Sequence, residues 1–110
     1  MAREQEPGGL DLLILHLLAE RDMYGYEMVT ELASRSSEVF QLKEGTLYPL
    51  LHRLEKEGSV SAYEEKKEGR VRRRYYRLTR KGGEKLRERT EAWETYSGAV
   101  NAVLCKVPVG

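Results

Sequence analysis

The sequence predicts a mainly α (α+β) fold: a winged helix-turn-helix with a two-stranded wing and a long C-terminal dimerisation helix. Three observations carry this expectation. Three segments before Gly58 place apolar residues at helical spacing. Two alternating segments flank Gly69, as in a β-hairpin. The last stretch, Arg80 to Leu104, repeats apolar residues every seven positions.

Residues 1–9 (MAREQEPGG) are polar and include Pro7, Gly8 and Gly9, the composition of a disordered arm. From Leu10 to Glu20, residues Leu10, Leu13, Ile14, Leu17 and Leu18 fit a helical stripe, and Leu12 and Leu15 make the other side apolar as well. A helix apolar nearly all round is buried on more than one face, and in so small a domain the second face points to a partner subunit. The second helix is expected over Tyr24–Arg35, where Tyr24, Met28 and Leu32 recur every four residues. Gly25 near its start permits close backbone approach.

The third helix is expected over Thr46–Glu57, with Leu47, Leu50, Leu51 and Leu54 at i, i+3, i+4, i+7. That start puts Pro49 in the first turn, where its missing N–H loses nothing, and Gly58 supplies the stop. Strands are expected over Val60–Glu64 and Arg73–Leu78, joined through a wing tip at Lys66–Val71. Thr79 is the expected N-cap of the last helix, Arg80–Leu104, which at 1.5 Å per residue reaches roughly 35–40 Å. Leu86, Trp93 and Val100 repeat every seven residues, Tyr96 and Val103 fill the complementary seam, and Arg89 interrupts it. The expected organisation is an arm at 1–9, a winged helix-turn-helix DNA-binding domain at 10–79, a dimerisation helix at 80–104 and a tail at 105–110.

The 110 residues suit one domain, and 34% charged with 40% hydrophobic residues describes a folded chain. The net charge of +1 hides an uneven distribution. Arg70, Arg72, Arg73, Arg74, Arg77, Arg80 and Lys81 follow one another with no acid among them. The single Cys105 allows neither an internal disulfide nor a C-x-x-C pair, which fits the cytoplasm. The apolar run from Leu10 is too short to cross a bilayer and is followed by Glu20-Arg21-Asp22 rather than a cleavage site, so neither membrane nor secretion is expected. His16 and His52 lie on different predicted helices, and there is no glycine-rich phosphate loop. No metal, cofactor or catalytic constellation is expected.

With its leucines turned inward, the third helix presents Thr46, Tyr48, His52, Arg53 and Lys56, with Lys43, Gly45 and Pro49 at its N-terminal end. A helix fits the major groove of DNA with its N-terminal part at the base edges, and helix N-termini favour phosphate. On the helix alone, a merely solvated face with i,i+4 partners explains Arg53 and Lys56 equally well. The wing shifts the balance. Protecting an edge strand takes one or two charges, whereas Arg70, Arg72, Arg73 and Arg74 form a cluster suited to phosphate or the minor groove of double-stranded DNA. A rival from another class is a winged helix that has lost DNA binding and serves as a protein-interaction module through its last helix.

Three motifs resemble the short class of the PadR family of transcriptional regulators, and the likeness covers about residues 10–104. Met23-Tyr24-Gly25-Tyr26-Glu27-Met28 is similar to that family's opening of the second helix. Glu44-Gly45-Thr46-Leu47-Tyr48-Pro49, with Leu51, Arg53-Leu54-Glu55 and Gly58, resembles its recognition helix, and Arg73-Arg74-Tyr75-Tyr76-Arg77-Leu78-Thr79 its wing strand. The resemblance implies a two-fold homodimer held by the first and last helices, binding a pseudo-palindromic operator and repressing. The implied dimer residues are Leu10, Leu13, Leu17, Leu86, Trp93, Tyr96, Val100 and Val103. In two places the sequence departs from the pattern. The stretch from Gly69 to Arg74 is one residue longer than the common form, and Gly82-Gly83 doubles a usual single glycine, predicting a looser start to the last helix.

Trp93 reads in two ways. Multidrug-binding members of the family carry a tryptophan at the matching place, which implies a site for a planar aromatic effector lined by Leu13, Leu17, Trp93 and Tyr96. Its heptad position equally makes Trp93 a plain packing residue of the dimer seam.

Overall fold

The computed structural model describes residues 9–105; the arm expected at 1–9 and the tail at 105–110 lie almost wholly outside the described residues. The elements run α1 (Leu10–Glu20), β1 (Met23–Tyr24), α2 (Gly25–Arg35), α3 (Glu44–Lys56), β2 (Val60–Lys67), β3 (Arg70–Leu78) and α4 (Arg80–Leu104). Ile14, Leu15, Leu18, Met28, Leu47, Leu51, Leu54 and Val60 interlock in one core under the sheet. The last helix begins and ends where its heptads predict, capped by the Thr79 hydroxyl, which accepts from the Gly82 N–H at 3.0 Å.

The structure departs from the sequence expectations in several places. The sheet has three strands, in the order β1-β3-β2, because Met23 and Tyr24 pair antiparallel with Tyr76 and Tyr75. Two residues are too few to show a periodicity, so β1 is invisible in the sequence. The second helix consequently starts at Gly25, with the Tyr24 N–H donating to the Glu27 carboxylate at 3.1 Å.

The third helix starts two residues early, at Glu44, so Pro49 lies in its second turn rather than its first. Its missing N–H leaves the Gly45 carbonyl without an i+4 donor, which an exposed carbonyl tolerates by turning to water. At its other end, Gly58 takes φ +86°, its N–H reaches the Glu55 carbonyl and the Ser59 N–H reaches the Leu54 carbonyl at 2.9 Å. This is the paired terminal bonding that a left-handed glycine permits.

The wing strands are longer than predicted and turn through Glu68 (φ 55°) and Gly69 (φ 75°) alone. Two successive left-handed residues make the turn whose twist matches a hairpin. The extra residue of the Gly69–Arg74 stretch is absorbed by a β-bulge. Glu65 pairs with Arg73 and Lys66 with Val71, leaving Arg72 as the added residue on β3.

The doubled glycine does not loosen α4. A Cβ on Gly82 would lie 2.0 Å from the Ser59 carbonyl oxygen, so its absence lets the helix seat directly on the turn after α3; Gly83 faces open space. The molecule is elongated, 69 × 29 × 24 Å, because α4 runs on past the core.

Candidate nucleic-acid interface

The exposed face of α3 carries Gly45, Thr46, Tyr48, Pro49, His52, Arg53 and Lys56, with Lys43 as its N-cap residue, while Leu47, Leu50, Leu51 and Leu54 are buried. The Tyr48 ring lies across the start of α2. Its hydroxyl occupies the space a Cβ on Gly25 would need, at 2.2 Å from that position. Burial, the Glu44 charge and the neighbouring Tyr76 push this phenol above its ordinary value, so it stays a neutral donor at physiological pH. Gly25 in the second-helix motif thus exists for a residue of the third.

The wing joins this face from the side. The Arg74 guanidinium donates to the Glu55 carboxylate at 3.2 Å and lies over the Tyr76 ring at 5.8 Å. Tyr48, His52 and Glu55 follow at i, i+4, i+7, so Arg74 is tied to the flank of α3 that Tyr48 begins. Side chains alternate along a strand, and Arg73 therefore points to the other face of the sheet. There it lies over the Tyr24 ring at 4.6 Å, with Glu65 at 3.9 Å. The same outer face carries Tyr63 stacked on Tyr75 at 5.6 Å, and Arg77 over Tyr63 at 5.0 Å with Asp22 at 3.7 Å.

The acid-free arginine run is therefore not acid-free in space. Glu55 and Glu64 serve Arg74, Glu65 serves Arg73 and Asp22 serves Arg77. Of the four wing arginines singled out from the sequence, Arg73 and Arg74 are engaged on opposite faces. Arg70 and Arg72 form no ion pair within the described residues and stand exposed at the wing tip. The strand opposite brings Lys66 and Lys67 to the same tip, two cations that the sequence pattern hides because acids surround them in the chain. Lys67 sits directly across from Arg70. Like charges in that position repel, and an anion between them removes the penalty.

The residues expected at the subunit seam divide into two groups. Leu10, Leu13 and Leu86 are partly buried against the chain's own core. Leu17, expected at a subunit seam and a ligand site, is 2% exposed within that core and has no surface left for a partner or an effector. Farther along α4, Trp93 and Tyr96 are 41% and 51% exposed with ring centroids 6.0 Å apart, and Val103 is more exposed still. Val100 lies half-buried between them.

Comparison with known proteins identifies this arrangement. A model of the PadR-like family of transcriptional regulators matches residues 14–88. The chain belongs to the PadR-like family. It is 36% identical to the transcriptional regulator Rv3488 of Mycobacterium tuberculosis, covering 84% of this chain and 82% of that one. Among solved structures, a transcriptional regulator from Clostridium thermocellum superposes with a TM-score of 0.77 at 36% identity, over 84% of this chain and 90% of that one. A PadR family transcription regulator from Clostridium difficile gives 0.75 at 33% identity, over 88% of this chain and 99% of the other. This chain is thus a transcriptional regulator of the PadR-like family with a winged-helix fold. No helix among the described residues is long and apolar enough to cross a membrane.

Proposed function

We propose that this PadR-like regulator is a cytoplasmic, homodimeric repressor that binds a pseudo-palindromic operator in double-stranded DNA and is released by a small effector at the subunit seam. Residues 10–79 form the DNA-binding part and residues 80–104 the pairing helix. The supporting observation is the wing's attachment to α3 through Arg74 and Glu55, 3.2 Å apart, which keeps the basic tip and the face bearing Thr46, Tyr48, His52 and Arg53 in one unit. Thr46, Tyr48 and Arg53, with Lys43, Gly45 and Pro49 at the helix start, meet the major groove. Arg70, Arg72, Lys66 and Lys67 take phosphates or the flanking minor groove. Arg73 and Arg74 hold the wing's shape.

The exposed Trp93–Tyr96 pair supports both pairing and effector binding. Two such surfaces facing each other make a flat aromatic slot, closed on its inner side by Leu13, that accepts a planar aromatic molecule. An effector acts only through different affinity for different spacings of the two recognition helices.

The test is a salt titration with duplex DNA from upstream of the protein's own coding region. Log affinity should fall steeply with log salt, and Arg70→Ala with Arg72→Ala should flatten the slope by about 0.9 for each phosphate no longer neutralised. Arg73→Ala should leave the slope unchanged. Failure of every duplex to bind at low salt refutes the repressor reading and favours a protein-interaction role.

A further inference from the structure

The apolar repeat of α4 fails at Arg89, and the fold explains why. Gly82, Lys85, Arg89, Trp93, Tyr96, Val100 and Val103 all lie along one stripe of the helix. Its apolar outer half is left without a packing partner among the described residues, whereas its inner half is docked on the chain's own domain by three rungs. At the first, α4 meets the end of α3 almost backbone to backbone. Gly82 lies against the Ser59 carbonyl, and the Thr79 hydroxyl donates to the Gly58 carbonyl at 2.6 Å. The second is Lys85, whose ammonium reaches Glu57 at 2.6 Å and Asp11 at 3.7 Å. At the third, Arg89 donates to Asp11 at 2.7 Å. Asp11 belongs to the first turn of α1 and is itself buried, 8% exposed. Ser59 also donates to Glu57 at 2.9 Å, so this carboxylate is shared between the turn after α3 and the long helix. Burial pushes the Glu57 carboxyl up, but the hydrogen bonds from Lys85 and Ser59, with the Lys85 charge, hold it below its ordinary value.

A helix held at one point can swing, but one held at two points separated along its axis cannot. Gly82 and Arg89 are about 10 Å apart along α4. Releasing the outer rungs and allowing 1 Å of play at Arg89 tilts the helix by about 6°, which becomes about 3 Å at Val103. A base-pair step is about 3.4 Å.

We propose that the ion pairs of Lys85 and Arg89 with Asp11 and Glu57, seated on the Gly82–Ser59 contact, position the recognition helix against the pairing helix and so set the half-site spacing the regulator accepts. This rests on the DNA-binding reading given above. Asp11, Glu57, Lys85 and Arg89 are positioning residues. They act through the angle between α3 and α4, and Glu57 also shares a cleft with Arg53 of the exposed α3 face. The consequence is a rigid two-legged reader. Moving one half-site by one base pair shifts it about 3.4 Å and turns it by roughly 35°, a change that a subunit with α3 locked against α4 cannot follow by bending within itself.

The experiment uses the whole protein and duplexes it selects from a random-sequence library. The selected duplex is rebuilt with its half-sites moved one base pair closer or farther, and as a single half-site. The wild type should discriminate against the moved sites by about tenfold or more. Asp11→Asn, which strips the carboxylate charge shared by Lys85 and Arg89, and Asp11→Asn combined with Lys85→Met, should cut that discrimination to about threefold or less. Both should keep single half-site affinity within about twofold, because the DNA-facing residues are untouched. An unchanged spacing profile in both variants overturns the proposal and leaves DNA binding standing. So does loss of single half-site affinity in step with melting temperature, which marks these ion pairs as plain structural support. Selection of no duplex by the wild type overturns the DNA-binding reading, and this proposal with it.

Discussion

Gly82 and Gly83 are neighbours in the first turns of the same helix, yet replacing each with alanine should move stability in opposite directions. Alanine is favoured over glycine in a helix by about 1 kcal/mol, because glycine loses more backbone freedom on folding. At Gly83 a Cβ meets nothing within 4 Å, so Gly83→Ala should gain most of that. At Gly82 the Cβ would stand 2.0 Å from the Ser59 carbonyl oxygen and 2.7 Å from Leu78 Cδ1. The first neighbour is backbone, held in place by the Thr79 N–H at 3.1 Å and the Thr79 hydroxyl at 3.0 Å, and it cannot swing aside. Opening that contact costs about 1–3 kcal/mol of overpacking and also loosens hydrogen bonds worth about 1 kcal/mol each. Set against the helical gain, Gly82→Ala should lose about 2 kcal/mol, and the two variants should differ by about 3 kcal/mol. In thermal unfolding at one fixed chain concentration, that is a gap of at least about 10 °C in midpoint. A Gly82→Ala protein as stable as the wild type would refute the claim that α4 is seated on the turn after α3.

Three further outcomes follow from the same contacts. Gly25→Ala should push the Tyr48 hydroxyl off the start of α2, lowering operator affinity in a gel-shift titration by about tenfold, the worth of one charge-assisted contact, while the melting point changes little. Trp93→Asp should convert a sedimenting dimer to monomer, since it places a charge in the exposed aromatic pair of α4; a persistent dimer contradicts that seam. Acid should destabilise the protein below about pH 4.5. Arg35's hydrogen bond is the largest influence on Glu20, holding its carboxyl down to about 2 against the opposing pull of burial, and Glu57 is also lowered, so both favour folding above the ordinary carboxylate value and lose that contribution as they protonate. Glu57→Gln should be less stable at pH 7 and show a shallower loss between pH 7 and 3 in melting scans; an unchanged slope refutes the assignment.

Much of the site was visible in the linear pattern, for a local reason. Leu47, Leu50, Leu51 and Leu54 declare which face of α3 is buried, and so leave Thr46, Tyr48, His52 and Arg53 outside. The wing arginines were visible as a cluster but not as individuals. Strand alternation sends Arg73 and Arg74 to opposite faces, and their acids come from β2 and α3. Lys66 and Lys67 were obscured by the glutamates beside them in the chain; the hairpin register pairs Glu64 and Glu65 with Arg74 and Arg73, back from the tip, while Glu68 stays in the turn. Leu17 fits the same helical pattern as Leu13, and only packing decides that one is sealed in the core while the other is partly exposed.

The sequence by itself determined the helices, the hairpin, the long apolar repeat and the polarity of each face, because periodicity is written in neighbours three, four or seven residues apart. Tertiary structure alone decided which cations remain available to an anion, which of two adjacent glycines closes a joint, and why Arg89 interrupts the apolar repeat. Those outcomes depend on partners brought together from far along the chain: Glu55 and Arg74 are 19 positions apart, Asp11 and Arg89 78. A charge or a missing Cβ acquires its meaning from what stands a few ångströms away, and chain order does not record that distance.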